Sequence, residues 1–108
     1  MKSEIVFADE NIEKEFNKLK NFKEKQFYEQ LMNAFRNLKE DAFCGIQTPK
    51  NLIPKEYIKK FGNITNLWKY NLPDAWRLIY TVKNNQVSIL SVVLEWMDHK
   101  EYERRFGY

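Results

Sequence analysis

Cysteine and histidine are almost missing from this chain: its 108 residues include one of each, Cys44 and His99. A single cysteine forms no intramolecular disulfide and no Cys-x-x-Cys redox or metal pair. One cysteine and one histidine fall short of the three or four ligands of a zinc site. A Ser-His-Asp triad would have one imidazole to draw on, and no Gly-x-Ser-x-Gly elbow accompanies it. Glycine is scarce too, at three residues, which excludes Gly-rich phosphate loops of the Walker or Rossmann kind. The longest apolar run, Val87 to Leu94, is interrupted by Ser88 and Ser91 and is far shorter than the roughly 20 residues of a membrane helix. The N-terminus, MKSEIVFADE, turns acidic at once and lacks the apolar stretch of a secretory signal. The expectation is a cytoplasmic protein with no metal, no cofactor and no membrane partner.

What is present is a foldable core and a localised charge. Hydrophobic residues make up 44% and aromatics 16% of the chain, too much apolar surface for a disordered segment. The length argues for one domain, 1–108. The net charge of +3 is uneven. Residues 50–77 carry six basic and two acidic groups, a net of +4, against −1 before them and 0 after them. A concentrated basic excess points toward an anionic partner better than a diffuse one does.

The periodicities predict the order strand, helix, helix, short helix, three strands, helix. Ser3 to Ala8 is apolar and β-branched and reads as a first strand. Asp9 is a helix N-cap, and Ile12, Phe16 and Leu19 recur at helical spacing behind it. A longer helix places Phe27, Leu31, Ala34, Phe35, Leu38 and Ala42 on one face, with Gly45 at a C′-like position. Ile46 to Ile53 reads as a loop. Pro54 opens a short helix that Gly62 stops, with Tyr57, Ile58 and Phe61 inward and Lys55, Lys59 and Lys60 outward. From Asn66 the period becomes two. Asn66–Leu72 sets Trp68, Tyr70 and Leu72 against Leu67, Lys69 and Asn71; Ala75–Lys83 sets Trp76, Leu78, Tyr80 and Val82 against Arg77, Ile79 and Thr81. Residues 83–86 form a hairpin turn in which asparagine tolerates positive φ. The strand from Gln86 to about Trp96 is apolar on both faces and central. Asp98 with Glu101 starts a C-terminal helix. The fold class is α+β: an N-terminal strand and an antiparallel helical hairpin packed on an antiparallel β-meander, with a short C-terminal helix. The sheet face opposite the hairpin is expected to be the functional one, partly open to solvent.

Several residues on that face suit work on a phosphate. Lys69, Asn71 and Arg77 are polar positions in bulky apolar strands, and adjacent antiparallel strands bring such residues together. A plain reading makes them solvated residues of a one-sided sheet; a functional one makes them the floor of a groove whose rim is Lys55, Lys59 and Lys60. Trp68, Tyr70, Trp76 and Trp96 lie among these charges, a mixture suited to single-stranded RNA, although such rings also build cores. His99 stands at a helix N-terminus, which favours the neutral imidazole that serves as a general base; an ordinary surface histidine fits the same position.

The segment Asn66 to Tyr108 resembles the RelE/ParE superfamily of type II toxin–antitoxin toxins. The resemblance rests on Trp76-Arg77-Leu78-Ile79-Tyr80, which matches the family's aromatic-Arg-Leu-x-Tyr strand, and on the ending Asp98-His99-Lys100-Glu101-Tyr102. The N-terminal half agrees in its strand–helix–helix order. The resemblance implies a RelE-like fold and, for the RelE branch, an mRNA endoribonuclease acting without metal, typically on the ribosome: the 2′-hydroxyl attacks the adjacent phosphate, the 5′-hydroxyl leaves, and a cyclic phosphate results. It implies that Arg77 and Lys69 stabilise phosphate charge and that His99 and Lys100 supply the base or a charged stabiliser. Tyr102 or Tyr108 is the family's C-terminal tyrosine. Lys55, Lys59, Lys60 and Asn71 are the expected RNA-binding residues, with Asn71 standing where the ribonuclease branch often has a second lysine. It also implies a cognate antitoxin protein that covers the basic surface. The ParE branch keeps the fold and poisons DNA gyrase instead, and an RNA- or partner-binding module without toxicity is a third reading.

Overall fold

Two aspartates set the starts of two helices. The Asp9 carboxylate accepts from the Ile12 amide at 2.9 Å and opens α1 (Glu10–Lys18); the Asp98 carboxylate accepts from the Glu101 amide at 2.9 Å and opens α4 (His99–Phe106). Each satisfies an amide that the helix itself leaves unpaired. The structure, a computed structural model, describes residues 1–107, the side chain of Phe22 excepted. Tyr108, one of the two candidates for a C-terminal tyrosine, lies outside the described residues.

Among these residues the chain is α+β, with four α-helices and a five-stranded mixed sheet. In chain order the remaining elements are β1 (Glu4–Phe7), α2 (Lys25–Glu40), β2 (Ile46–Gln47), α3 (Lys55–Phe61), β3 (Trp68–Asn71), β4 (Arg77–Asn84) and β5 (Ile89–Met97). The sheet order is β1-β5-β4-β3-β2. β2 to β5 pair antiparallel, whereas β1 pairs parallel with β5, Glu4 opposite Leu90 and Phe7 opposite Val93. The expected antiparallel meander is β3-β4-β5, and the N-terminal strand joins it in parallel beside β5. β5 is apolar on both faces and needs a strand on each side; β4 covers one side and β1 the other. β2 is a correction, since Ile46–Gln47 pairs with Lys69 and Trp68 within the segment read as a loop.

Both faces of the sheet are covered. On the first, Leu31, Phe35 and Leu38 of α2 and Ile12 and Phe16 of α1 pack with Leu78, Tyr80 and Val93. On the second, Tyr57 of α3 and Tyr102 of α4 pack with Leu67, Ile79, Leu94 and Met97. The face expected to be partly open is thus covered at Leu67, Ile79, Leu94 and Met97. These four side chains are too apolar to leave in water, and two short helices remove them from it. A bulge contributes: pairing slips from Ile79 opposite Glu95 to Tyr80 opposite Val93, so Leu94 is the extra residue and the strand bends beneath α4.

Asn66 begins β3 by imitating a strand. Its side-chain amide donates to the Val82 carbonyl at 2.9 Å and accepts from the Val82 amide at 2.8 Å, and it also accepts from the Trp68 indole at 3.1 Å. Asn66→Ala is expected to lower stability by about 1–3 kcal/mol, because it leaves the part-buried Val82 backbone groups unpaired. A denaturant melt checks this, and an unchanged midpoint would contradict it.

Three local expectations are corrected. Gly45 is not a helix cap: α2 ends at Asp41, whose carboxylate accepts from the Phe43 amide, while Gly45 sits where a Cβ would lie 2.5 Å from the Lys69 carbonyl oxygen. The β4–β5 turn uses no left-handed asparagine; Asn85 closes it instead by accepting from the Val87 and Ser88 amides at 2.8 and 2.7 Å. Ile58 faces solvent, because α3 is only seven residues long and Tyr57 and Phe61 take its inward side.

Candidate phosphate-binding face

The strand register assembles the candidate site at one end of the sheet. Asn71 of β3 stands opposite Arg77 of β4, and Arg77 stands opposite Met97 of β5. Lys69, opposite Ile79, lies diagonally from Arg77 on the same face. Two residues beyond Met97 the chain enters α4, which returns Tyr102 over this row. The Lys69 ammonium stands 4.7 Å and the Arg77 guanidinium carbon 5.3 Å from the centroid of the Tyr102 ring. Two cations therefore flank one aromatic ring, each drawn by its quadrupole.

Neither cation has a carboxylate within ion-pair distance among the described residues. Both are half-buried. Arg77 donates from Nη1 to the Trp76 carbonyl at 3.3 Å, while its Nε is buried without a hydrogen-bond partner among the described residues. Arg105, nearby on α4, is the opposite case. It meets Glu95 at 2.9 Å, Glu56 at 3.2 Å and Glu101 at 3.7 Å. Burial works against its charge, but those carboxylates and the Tyr57 hydroxyl together hold the guanidinium above its ordinary pKa. Burial, reinforced by Glu95, pushes the Tyr57 phenol up. Arg105 thus ties α3, β5 and α4 together, and its charge is already matched. Lys69 and Arg77 have no such match among the described residues.

The turn that delivers Arg77 is strained. Residues 73–75 form a 3-10 turn in which Asp74 (φ 59°) and Ala75 (φ 63°) both take left-handed backbone, a conformation that costs roughly 1–2 kcal/mol per non-glycine residue. The twist of such a turn suits a tight β3–β4 connection and starts β4 at Arg77.

The other expected site residues divide. His99 lies one turn before Tyr102 and so on the same side of α4; its Nε2 contacts the Glu103 carboxylate, one turn on. Lys100 is two positions from Tyr102, hence nearly half a turn round the helix, and is exposed. Tyr102 is buried, with its ring stacked on Phe106 at 4.5 Å, so it carries the two cations as a platform. Lys55, Lys59 and Lys60 are exposed on α3 as expected. Lys60, however, lines a separate cleft of about 240 Å³ with Asp9, Thr81 and Lys83. Lys83 and Arg77 are near opposite ends of β4, so the single groove with Lys60 on its rim is corrected to two places on one face. Trp68, Tyr70, Trp76 and Trp96 are half-buried against the helical-hairpin core, so the aromatic at the cations is Tyr102.

Residues that the sequence reading passed over are Glu95 and Arg105, whose pairing depends on the bulge. An amide series was missed as well: Gln26, Gln30, Asn33 and Asn37 recur at spacings of four, three and four, which is a stripe on one side of α2.

No helix of the described residues is long and apolar enough to cross a membrane, and no group of three or more His, Cys, Asp or Glu residues among them is placed to hold a metal ion. No family model matches the sequence, and neither a curated protein nor a solved structure matches it.

Proposed function

We propose that the chain is a RelE-like endoribonuclease toxin that cuts mRNA without a metal and is neutralised by an antitoxin covering the Lys69–Arg77 face. The observation that carries this reading is the pair of half-buried cations flanking Tyr102, which no carboxylate among the described residues matches. A phosphodiester supplies the missing negative charge, and its transition state carries more of it than its ground state. Preorganised donors aimed at that charge are the usual source of large rate gains. In the proposed step the 2′-hydroxyl oxygen attacks the adjacent phosphorus and its proton passes to His99. The bond from phosphorus to the 5′-oxygen breaks, a 2′,3′-cyclic phosphate remains, and the departing 5′-oxygen takes a proton. Glu103 orients the imidazole through Nε2, as a third group orients the base in hydrolytic triads. Tyr102 positions the two cations, Asn71 contacts the ribose or phosphate beside Arg77, and Lys100, on the exposed side of α4, contacts RNA further from the reacting atoms.

The test is cleavage of a labelled RNA by the purified protein in chelator, with and without ribosomes. The expected products end in a 2′,3′-cyclic phosphate and a 5′-hydroxyl. RNA that stays intact in both conditions overturns the reading, and growth arrest with intact RNA would assign the protein to a target-binding toxin of the gyrase-poisoning kind.

A further inference from the structure

A second cleft lies away from the paired cations. It holds about 540 Å³ between α2 and the end of β3, and its polar lining is Gln26, Glu29, Gln30 and Asn33 from α2 with Tyr70 and Asn71 from β3. Among the described residues no lysine or arginine lines it, so it does not suit a phosphate. Its chemistry is that of side-chain amides, each offering a donor pair and an acceptor in one plane, the arrangement that pairs with the edge of a nucleobase. Tyr70 adds an aromatic ring, and the Asn37 amide holds its hydroxyl at 2.7 Å. The cleft and the cations are joined through Asn71, which lines the cleft and stands opposite Arg77 in the register. The two lie on opposite faces of the sheet, and among the described residues no strand pairs with the β3 edge at Asn71, because β2 pairs with β3 only at Trp68 and Lys69.

We propose that this cleft is a base-recognition subsite. A nucleotide whose phosphate sits at Lys69 and Arg77 passes over the free edge of β3 at Asn71 and places its neighbouring base between α2 and Tyr70. Glu29, the one carboxylate in the lining, accepts from an exocyclic amino group, while Gln30 and Asn33 take the remaining edge atoms. The subsite therefore favours adenine, cytosine or guanine over uracil. This inference rests on the ribonuclease reading above.

The experiment uses the full chain and an RNA pool randomised around a cut site, with product 5′-hydroxyl ends sequenced. The parent is expected to disfavour uracil at one position beside the cut by about tenfold or more, the discrimination one bidentate contact gives. A Gln30→Leu/Asn33→Leu protein and a Glu29→Gln protein, each shown folded by its melting curve, are expected to lose most of that bias, with the rate on the parent's preferred RNA falling about tenfold toward the rate on uracil-containing RNA. Variants that keep the parent's base profile overturn the subsite and leave the ribonuclease reading standing, as does a parent with no bias at any position beside the cut. A parent that cuts no RNA overturns both.

Discussion

Arg77→Ala protein is expected to cleave RNA about 10²–10³-fold more slowly than the parent, the usual cost of removing one preorganised transition-state donor, and to lose growth inhibition. Its fold should survive. Arg77 has no carboxylate partner among the described residues, and its single hydrogen bond, to the adjacent Trp76 carbonyl, is long at 3.3 Å. Truncation therefore leaves no buried counter-charge behind, and the stability change is expected to stay within about 1 kcal/mol. Arg105→Ala is the contrasting control, since it strips the partner from half-buried Glu95 and falls first on stability. Rates from RNA cleavage and melting curves on the same preparations separate the two outcomes. If Arg77→Ala protein remains equally toxic and cuts RNA equally fast, the assignment of Arg77 is wrong.

Gly45→Ala is expected to lower stability by about 2–5 kcal/mol, combining the cost of overpacking with that of a disrupted buried hydrogen bond. A Cβ at this position would stand 2.5 Å from the Lys69 carbonyl oxygen and 2.6 Å from the Tyr80 hydroxyl. That hydroxyl donates to the Ala42 carbonyl at 2.8 Å and accepts from the Gly45 amide at 3.2 Å. Burial pushes the Tyr80 phenol up, so it stays a donor throughout the ordinary pH range. The added methyl has to displace either the Tyr80 ring or the β2–β3 pairing. The second route moves Lys69 itself, so RNA cleavage is expected to fall with stability. Thermal unfolding followed by circular dichroism checks the first part, and an unshifted melting temperature would refute it.

The amino-acid pattern exposed the candidate site more fully than its surroundings. Strict alternation set Lys69, Asn71, Arg77 and Ile79 on one face and Trp68, Tyr70, Leu78 and Tyr80 on the other, and the register keeps both sets. The caps at Asp9 and Asp98 were legible because capping is local chemistry between a side chain and an amide three residues on. What alternation does not carry is the identity of a strand's neighbours. The parallel place of β1, the two-residue β2 and the bulge at Leu94 depend on contacts between distant segments. Closure of the second face was hidden for a related reason: α3 and α4 are short, and what holds them there, the apolar Ile79, Leu94 and Met97 and the ion pairs of Arg105, comes from elsewhere in the chain. Gly45 was misread because a glycine required by a close approach looks, in sequence, like a glycine required by a helix end.

The parallel pairing of β1 with β5 also bears on the order in which the molecule assembles. Glu4 meets Leu90, so this pairing closes a loop of nearly the whole chain, and its entropy opposes contact until the rest is in place. β3, β4, β5 and α4 follow one another through short connections and hold Lys69, Arg77 and Tyr102 among themselves. The cation pair thus belongs to a segment that forms from near neighbours. β1 precedes its partner β5 by most of the described chain and cannot register until that partner has been made.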